Sequence, residues 1–371
     1  MKMRITQSDI ARAAGVHNAT VSLALRNSRL IPQPTRDRIQ EIARAMGYSP
    51  DPALRALVAY RNSRRVRKQL ETLVYATNWE TKWGWKAVSA HERHYSAAQR
   101  KAAELGYQVE HLWLGEPGMT GRRLDRMLTH RNISAMLLAS HLHAWDDLAV
   151  LDWSRLSAVK LGCFPAPAIN QIMVDPFAVT RLALQQVLAK GYQRIGLVLP
   201  RRHDDLADRA WSAAFHAELH RWRAREALPV LNLPDFQDAC PLDAAEGIQA
   251  VTRWYHRHRP EVIIGATPES LGVIRSSGLR VPQDVGYVDL AVEDTGYAVA
   301  GVRENSEKVG ELAVTMLVNQ LEQNILGIPD IATTTSVGGV WREGASLPVR
   351  MLTVMDEAET GGAVIKHNLV A

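Results

Sequence analysis

Cysteine is nearly absent from this chain of 371 residues. The two present, Cys163 and Cys240, are far apart and in no metal-ligand spacing. That excludes a disulfide framework and leaves a single bridge or, preferred here, two buried thiols in a reducing compartment. No run of about 18 apolar residues occurs, so no membrane-spanning helix and no membrane partner are expected. The first residues, MKMRITQSDIARAAGV, lack the apolar core of a signal peptide, and a cytoplasmic location is the expectation. Also missing are the Gly-x-Ser-x-Gly elbow, the phosphate-cradling Gly-x-x-x-x-Gly-Lys and the zinc-binding His-Glu-x-x-His. No enzyme is expected. Histidine is plentiful, at thirteen. However, the close pairs His91/His94, His141/His143 and His256/His258 come with no carboxylate or cysteine at ligand spacing, so neither metal nor cofactor is expected.

What is there is an ordinary soluble balance, 46% hydrophobic and 22% charged, with an uneven charge distribution. Residues 1–68 hold 14 Lys/Arg against 4 Asp/Glu, a balance of +10, whereas the remainder is at −5. A cationic block on a mildly acidic body is the footprint of a polyanion partner. A basic solvated tail is the alternative, but the block is also patterned like a fold. Thr6-Gln7-Ser8-Asp9 reads as a capping box, Ile10, Ala11 and Ala14 form an apolar face, and Gly15 ends the helix. A second helix is expected over 18–25, with Val21 and Leu25 on one face. A third spans 33–46, with Ile39, Ile42, Ala43 and Met46 inward, stopped by Gly47. Three short helices with a glycine turn between the first two make a helix-turn-helix layout. Asp51-Pro52 then starts a helix of about two turns, marginal on its own, followed by an exposed basic linker over 61–68.

From residue 70 strands and helices alternate. Strands are expected at 73–76, 109–114, 135–139, 172–174, 195–199 and 262–265. Helices are expected at 89–105, 119–131, 176–190, 204–222, 242–258 and 305–325. Two series of βα units imply two lobes with parallel sheets covered on both faces, and a ligand cleft at the carboxyl ends of the strands. The domain division is therefore 1–50, a helical head; 51–69, hinge helix and linker; 70–346, a two-lobed sensing and dimerisation domain; and 347–371, an aperiodic tail expected to be disordered.

The head resembles the lactose-repressor/galactose-repressor family. Ile5-Thr6-Gln7-Ser8-Asp9-Ile10-Ala11-Arg12-Ala13-Ala14-Gly15-Val16, Thr20-Val21-Ser22, Thr35-Arg36, Ile39, Ala43 and Met46-Gly47-Tyr48-Ser49-Pro50 carry that resemblance. Looser echoes follow in 191–198, 281–287 and 310–313. The resemblance implies a small all-α head on a periplasmic-binding-protein-like α/β domain. It also implies a homodimer, or a dimer of dimers, on a near-palindromic DNA operator, with affinity modulated by a small effector in the cleft, a carbohydrate by family precedent. A solute-binding protein without a DNA role is the rival reading; the cationic head argues against it.

In such a head the start of the second helix enters the major groove. The matching positions are Asn18, suited to adenine, and Ala19 and Leu23, suited to thymine methyls. Leu23 departs from the arginine frequent in the family, and His17 stands where serine is the frequent cap. Thr6, Thr20, Ser22 and Arg36 match phosphate-contacting positions, local capping being the alternative for the hydroxyls. Arg12, Arg26, Arg29 and Arg38 would act through long-range charge. Leu57 matches a hinge leucine that wedges into a minor-groove step; a contact between the two hinge helices is the alternative. For the effector, the resemblance points to Asn78 and Trp79 after the first strand, Asp175 at a crossover, Arg209 and Asp289. Trp79, Trp83 and Trp85 form an aromatic group at the cleft mouth, with ordinary packing expected for at least two of them. Ala266-Thr267 and Trp211-Ser212 depart from the family's usual effector contacts.

Overall fold

The computed structural model describes residues 5–28, 30–49, 71–141, 146–162, 167–222, 228–234, 241–292 and 297–350. The expected hinge helix with Leu57, the basic linker, Arg29, both cysteines, His143 and the tail beyond Arg350 lie outside these residues.

Three helices form the head: α1 (Gln7–Ala14), α2 (Asn18–Leu25) and α3 (Gln33–Ala45). The capping box at α1 is complete in both directions, and Gly15 closes the helix in the left-handed conformation at φ 64°. Ile10, Val21 and Ile39, one from each helix, are fully buried against one another with Ala11, Ala14, Ala24 and Ala43. The C-terminal carbonyls that α1 and α2 cannot satisfy internally are met by α3: Arg38 donates to Ala14 O (3.1 Å) and Gln40 to Ala24 O (3.0 Å). Arg38 thereby places a cation at the negative end of α1.

The chain then builds β1 (Glu71–Asn78), α4 (Ser89–Leu105), β2 (Tyr107–Trp113), α5 (Gly121–His130), β3 (Ala135–His141), β4 (Ser157–Leu161) and β5 (Gln171–Val174). Next come α6 (Pro176–Ala189), β6 (Ile195–Pro200), α7 (Arg201–Leu206), α8 (Ala210–Arg221), β7 (Leu231–Leu233), α9 (Pro241–His258), β8 (Val262–Gly265), α10 (Pro268–Ser276), β9 (Gly286–Asp289) and β10 (Ala300–Glu304). The last elements are α11 (Ser306–Glu322), β11 (Thr334–Val337) and β12 (Gly339–Arg342).

Two six-stranded sheets result, ordered β11-β5-β4-β3-β1-β2 in the first lobe and β12-β10-β9-β8-β6-β7 in the second. Every pairing is parallel except β10 with β12. Alternate residues of each strand serve opposite faces. In the first lobe Leu73, Tyr75 and Leu137 pack beneath α4 and α11, whereas Val74, Ala76, Met136 and Leu138 pack against Leu124 and Leu128 of α5. In the second lobe Ile264 and Val288 meet α6 and α8, while Ile263 and Tyr287 meet α9 and α10. Both sheets are thus covered on two faces, which explains strands that are apolar throughout. Among the described residues no helix is long and apolar enough to cross a membrane.

The chain passes between lobes three times. It leaves the first after β5 at Asp175, because α6 packs on the second sheet; it returns after β10, because α11 packs on α4; and it leaves again between β11 and β12. Neighbouring crossovers are stitched together: Asp175 N donates to Val337 O (2.9 Å), and Asn305 Nδ2 donates to Gly338 O (2.7 Å).

One expected element differs. The helix read over 204–222 is broken into α7 and α8, because Asp208 and Arg209 adopt left-handed φ of 50° and 58°. Left-handed conformations cost energy for residues with a Cβ, and nothing in the local sequence announces two in a row.

Candidate functional site

On the head, α2 presents its first turn outward. Asn18 and Ala19 are exposed, and Thr20, Ser22 and Leu23 are half-buried. The helix is capped by His17, whose Nδ1 accepts from Ala19 N at 3.2 Å, with the ring proton on Nε2. The Asn18 amide is thereby left out of the capping. Thr6 is exposed but serves as the α1 cap: it donates to Asp9 Oδ2 (2.7 Å) and accepts from Asp9 N (3.3 Å). These bonds from Thr6 hold the Asp9 carboxyl below its ordinary pKa. Ser22 receives Arg26, whose Nε donates to Ser22 O (3.1 Å). Arg36 is not brought to this surface. Only 9% of it is exposed, and it donates to Ser28 O (3.0 Å) and to the Gln33 side chain. In this structure it braces the turn before α3, so the phosphate role expected from the sequence gives way to packing.

In the larger domain, Asn78 ends β1 and is buried, and Trp79 follows. Trp79 Nε1 is buried with no hydrogen-bond partner, and its ring meets His91 edge-on at 5.8 Å. His91 Nδ1 is likewise buried without a partner. An unsatisfied buried donor or acceptor costs about 1–3 kcal/mol. Two such atoms on neighbouring rings mark a place suited to a polar guest.

The other two tryptophans behave differently. Trp85 is fully buried between Tyr75 and Tyr95 and donates to Lys82 O (3.1 Å), so it is core. Trp83 is 46% exposed, meets the His111 ring at 4.4 Å with a tilt of 34° and lies beneath Lys86 Nζ at 4.9 Å, a cation–π arrangement. Burial, then the charges of Lys82 and Lys86, depress His111 to about 4.

In the second lobe, Asp289 ends β9. It is buried, its Oδ1 accepts from Ala291 N (2.8 Å) and its Oδ2 from the Tyr287 hydroxyl (3.3 Å). Asp175 sits at the first crossover and caps α6, accepting from Ala178 N at 2.9 Å. Arg209 points largely to solvent, its side chain 77% exposed and paired with Asp205 at 3.4 Å. The structure therefore gives Asn78 and Asp289 buried positions at strand ends and Trp79 a half-buried one, gives Asp175 a structural bond, and leaves Arg209 outside.

Sequence reasoning missed several groups here. Glu304 ends β10, and burial pushes its carboxyl up to about 7, with Arg93 opposing and Asp289 reinforcing. Arg93 on α4 donates to Ser89 Oγ (2.6 Å) and lies 3.9 Å from Glu307, which also accepts from Arg303 (2.8 Å). Burial, aided by His203, lowers His91 to about 4, and burial, then His91 and Arg93, lowers His94 to about 3; both are neutral at pH 7. His203, from the second lobe, stacks on Trp211 at 5.4 Å. His91 on α4 is thus close enough to His203 on α7 to feel its charge. The signal for Glu304 was available, as an acid ending an apolar strand just before a helix, but only the crossover gives it meaning. Among the described residues no three His, Cys, Asp or Glu could together hold a metal ion.

Comparison with known proteins agrees with this architecture. Residues 6–51 match the model described as bacterial regulatory proteins, lacI family, and residues 184–337 match the periplasmic binding protein-like domain. The ribose operon repressor of Escherichia coli K12 is 21% identical over 337 residues, covering 86% of this chain and 94% of that protein. The HTH-type transcriptional regulator CelR of Thermobifida fusca is 25% identical over 338 residues, covering 86% and 93%. Among solved structures, the lac repressor dimer bound to operator and the anti-inducer ONPF gives a TM-score of 0.56 at 20% identity, covering 93% of this chain and 100% of that one. The CelR–cellobiose complex gives 0.58 at 20% identity, covering 92% and 100%. The chain thus joins a head that matches the lacI family of bacterial regulatory proteins to a domain that matches the periplasmic binding protein-like model, and the relatives it resembles are named as transcriptional regulators and repressors.

Proposed function

We propose that this protein is a cytoplasmic, sequence-specific repressor of transcription. A dimer reads a near-palindromic operator through the α2 helices, and a small molecule held between the lobes changes its operator affinity. The observation that carries this reading is the cationic three-helix head with the first turn of α2 exposed, joined to a two-lobed domain whose crossovers are hydrogen-bonded to one another. Such crossovers let a ligand that favours one lobe arrangement bias the geometry at the base of the first lobe, where the chain to the head enters.

Asn18, Ala19 and Leu23 are the base-reading set, Thr6, Thr20 and Ser22 supply phosphate contacts, and Leu57 supplies the minor-groove wedge. Asn78, Trp79 and Asp289 line the effector side, with Asp175 and Arg209 as lesser members. The relatives named for ribose and cellobiose support a carbohydrate effector.

Selection from random duplexes at moderate salt tests this. Recovery of a two-fold symmetric site, with binding lost on deleting residues 1–60 and ligand binding retained, is the expected result. Recovery of no preferred duplex, with or without candidate metabolites, would sink the reading in favour of a solute-binding protein.

A further inference from the structure

The geometry points to Lys86 as a positioning residue: its ammonium, held in a cage of three aromatic rings, fixes the turn on which Trp79 lies and so sets a wall of the interlobe cleft from outside it. The inference rests on the proposed function only in taking Trp79 as part of that wall. It goes beyond it in naming what holds the wall, and that a charge does the holding.

Between β1 and α4 the chain runs from Trp79 to Val88, with a single 3-10 turn at Gly84–Ala87. The Trp79 ring lies against the backbone of that turn: a Cβ built on Gly84 would stand 3.5 Å from Trp79 Cε3. The ring meets His91 edge-on, and His91 feels the charge of His203 in the second lobe, so this side of the first lobe faces the other. Trp113 Nε1 donates to Trp79 O at 2.7 Å, which fixes the backbone there and leaves the ring to its neighbours. A displacement of the turn therefore displaces the ring.

Two attachments hold the turn. Trp85 is fully buried between Tyr75 and Tyr95. One buried ring fixes a point and leaves the residues on either side free to pivot about it. Lys86 supplies the second attachment. Its Nζ lies 4.9 Å from the centre of the Trp83 ring, 5.5 Å from Trp85 and 5.6 Å from Tyr95, and 3.6 Å from Glu92 Oε2. Tyr95 and Glu92 belong to α4, so the ammonium ties the turn to that helix. At 3.6 Å the carboxylate oxygen is beyond hydrogen-bond distance, and a ring face offers no directed acceptor. The attraction is therefore to charge, from three electron-rich faces and one anion around a single cation. Glu92 Oε2 is itself buried without a hydrogen-bond partner, so the ammonium is its counter-charge. Lys82 does not replace it, since among the described residues its Nζ faces only the Trp83 ring, at 5.6 Å. A neutral side chain of similar length would keep the packing of the stem and lose all four attractions together. The Lys86 side chain is 41% exposed, so the core does not depend on it.

The test follows Trp79 directly, in the full-length protein without ligand. Tryptophan is replaced biosynthetically by 5-fluorotryptophan, and the Trp79 fluorine resonance is identified by its loss in Trp79→Phe. Lys86→Met, unbranched and uncharged, should shift or broaden that resonance. The amides of Gly84 and Val88, which donate within the turn, should then exchange about tenfold faster while β1 and the body of α4 keep their protection. Lys86→Arg keeps the charge and stacks on aromatic faces, so it should leave the resonance in place and the exchange within about twofold of wild type. Trp83→Leu, which removes the exposed ring and leaves the ammonium, should move the resonance in the same direction as Lys86→Met. An unchanged resonance in Lys86→Met would overturn the inference, because Trp85 alone would then hold the turn. So would Lys86→Arg behaving as Lys86→Met does, because shape rather than charge would then matter. A Trp79 that moves in Lys86→Met, in a protein that selects no duplex, would leave this inference standing and sink the proposed function.

Discussion

Two residues at helix starts, Thr6 and His17, show how the head is held in shape to read DNA. Thr6 and Asp9 satisfy two amides reciprocally. Truncating such a cap costs about 1 kcal/mol, so Thr6→Ala should raise amide exchange throughout α1 in the intact chain by roughly fivefold. Unchanged protection would show that the box adds nothing. His17 is a poorer cap than serine, because its bulky ring reaches Ala19 N at 3.2 Å. His17→Ser should therefore stabilise α2 by about 0.5 kcal/mol, read as slower exchange of its first turn. Faster exchange after the substitution would mean that the imidazole holds α2 in some other way. Both substitutions leave Asn18 in place, so the operator recovered by selection should keep its sequence. A changed half-site would make His17 a reader in its own right.

Among the elements, α4 and α11 approach most closely at Gly310. A Cβ built there would stand 2.3 Å from His94 O and 3.2 Å from the Ala97 Cβ. Backbone cannot yield as a side-chain tip can, so Gly310→Ala must separate two helices that carry Arg93 and Glu307. A destabilisation of about 1–3 kcal/mol is expected, measured by denaturant unfolding, and a neutral result would show that the pair slides freely. The same elements show what the sequence could tell. The starts and stops of α1 and α2 were readable because Thr6, Asp9 and Gly15 act within a single turn. Long amphipathic helices such as α4 and α11 were readable from their stripes. The short strands β4, β7 and β9 to β12 were not, since three to five residues are too few to show a period, and neither was helix α10, only nine residues long. Site residues divided in the same way. Asn78 and Trp79 follow a strand that the sequence pattern could find, whereas Asp289, at the end of β9, was reached only through the family resemblance. The pairing of His91 with His203, and of Glu304 with Arg93, needs two lobes to be folded against each other. Arg36 looked like a surface cation because its burial comes from Ser28 and Gln33, partners that no local pattern reveals.

For the molecule as a whole, buried titratable groups set the response to acid. Glu304 holds its proton more tightly when folded, so its contribution is full below its ordinary 4.5 and is lost as pH rises towards about 7. His91, His94 and His111 act the other way. Folding lowers them from 6.5 to about 4, 3 and 4, so their contribution is present above 6.5 and is lost as pH falls. Three groups outweigh one, and the thermal midpoint should fall from pH 6.5 to pH 4.5, more steeply in Glu304→Gln, which lacks the opposing carboxyl. A midpoint that rises with acid would contradict the burial of these imidazoles. The charge asymmetry sets the response to salt. With the excess of +10 confined to residues 1–68, operator affinity should drop by about a thousandfold between 50 and 200 mM salt. A nearly flat dependence would deny the head its phosphate contacts. The triple passage between lobes has a further consequence, for the order in which the protein is made. Gln171 of β5 pairs with Thr334 of β11, and Ser157 bonds through its hydroxyl to Ile325 O. A ribosome must therefore extrude nearly the whole second lobe before the first can close its edge. The nascent chain carries an incomplete sheet through much of its synthesis, and that interval is when a chaperone would find it.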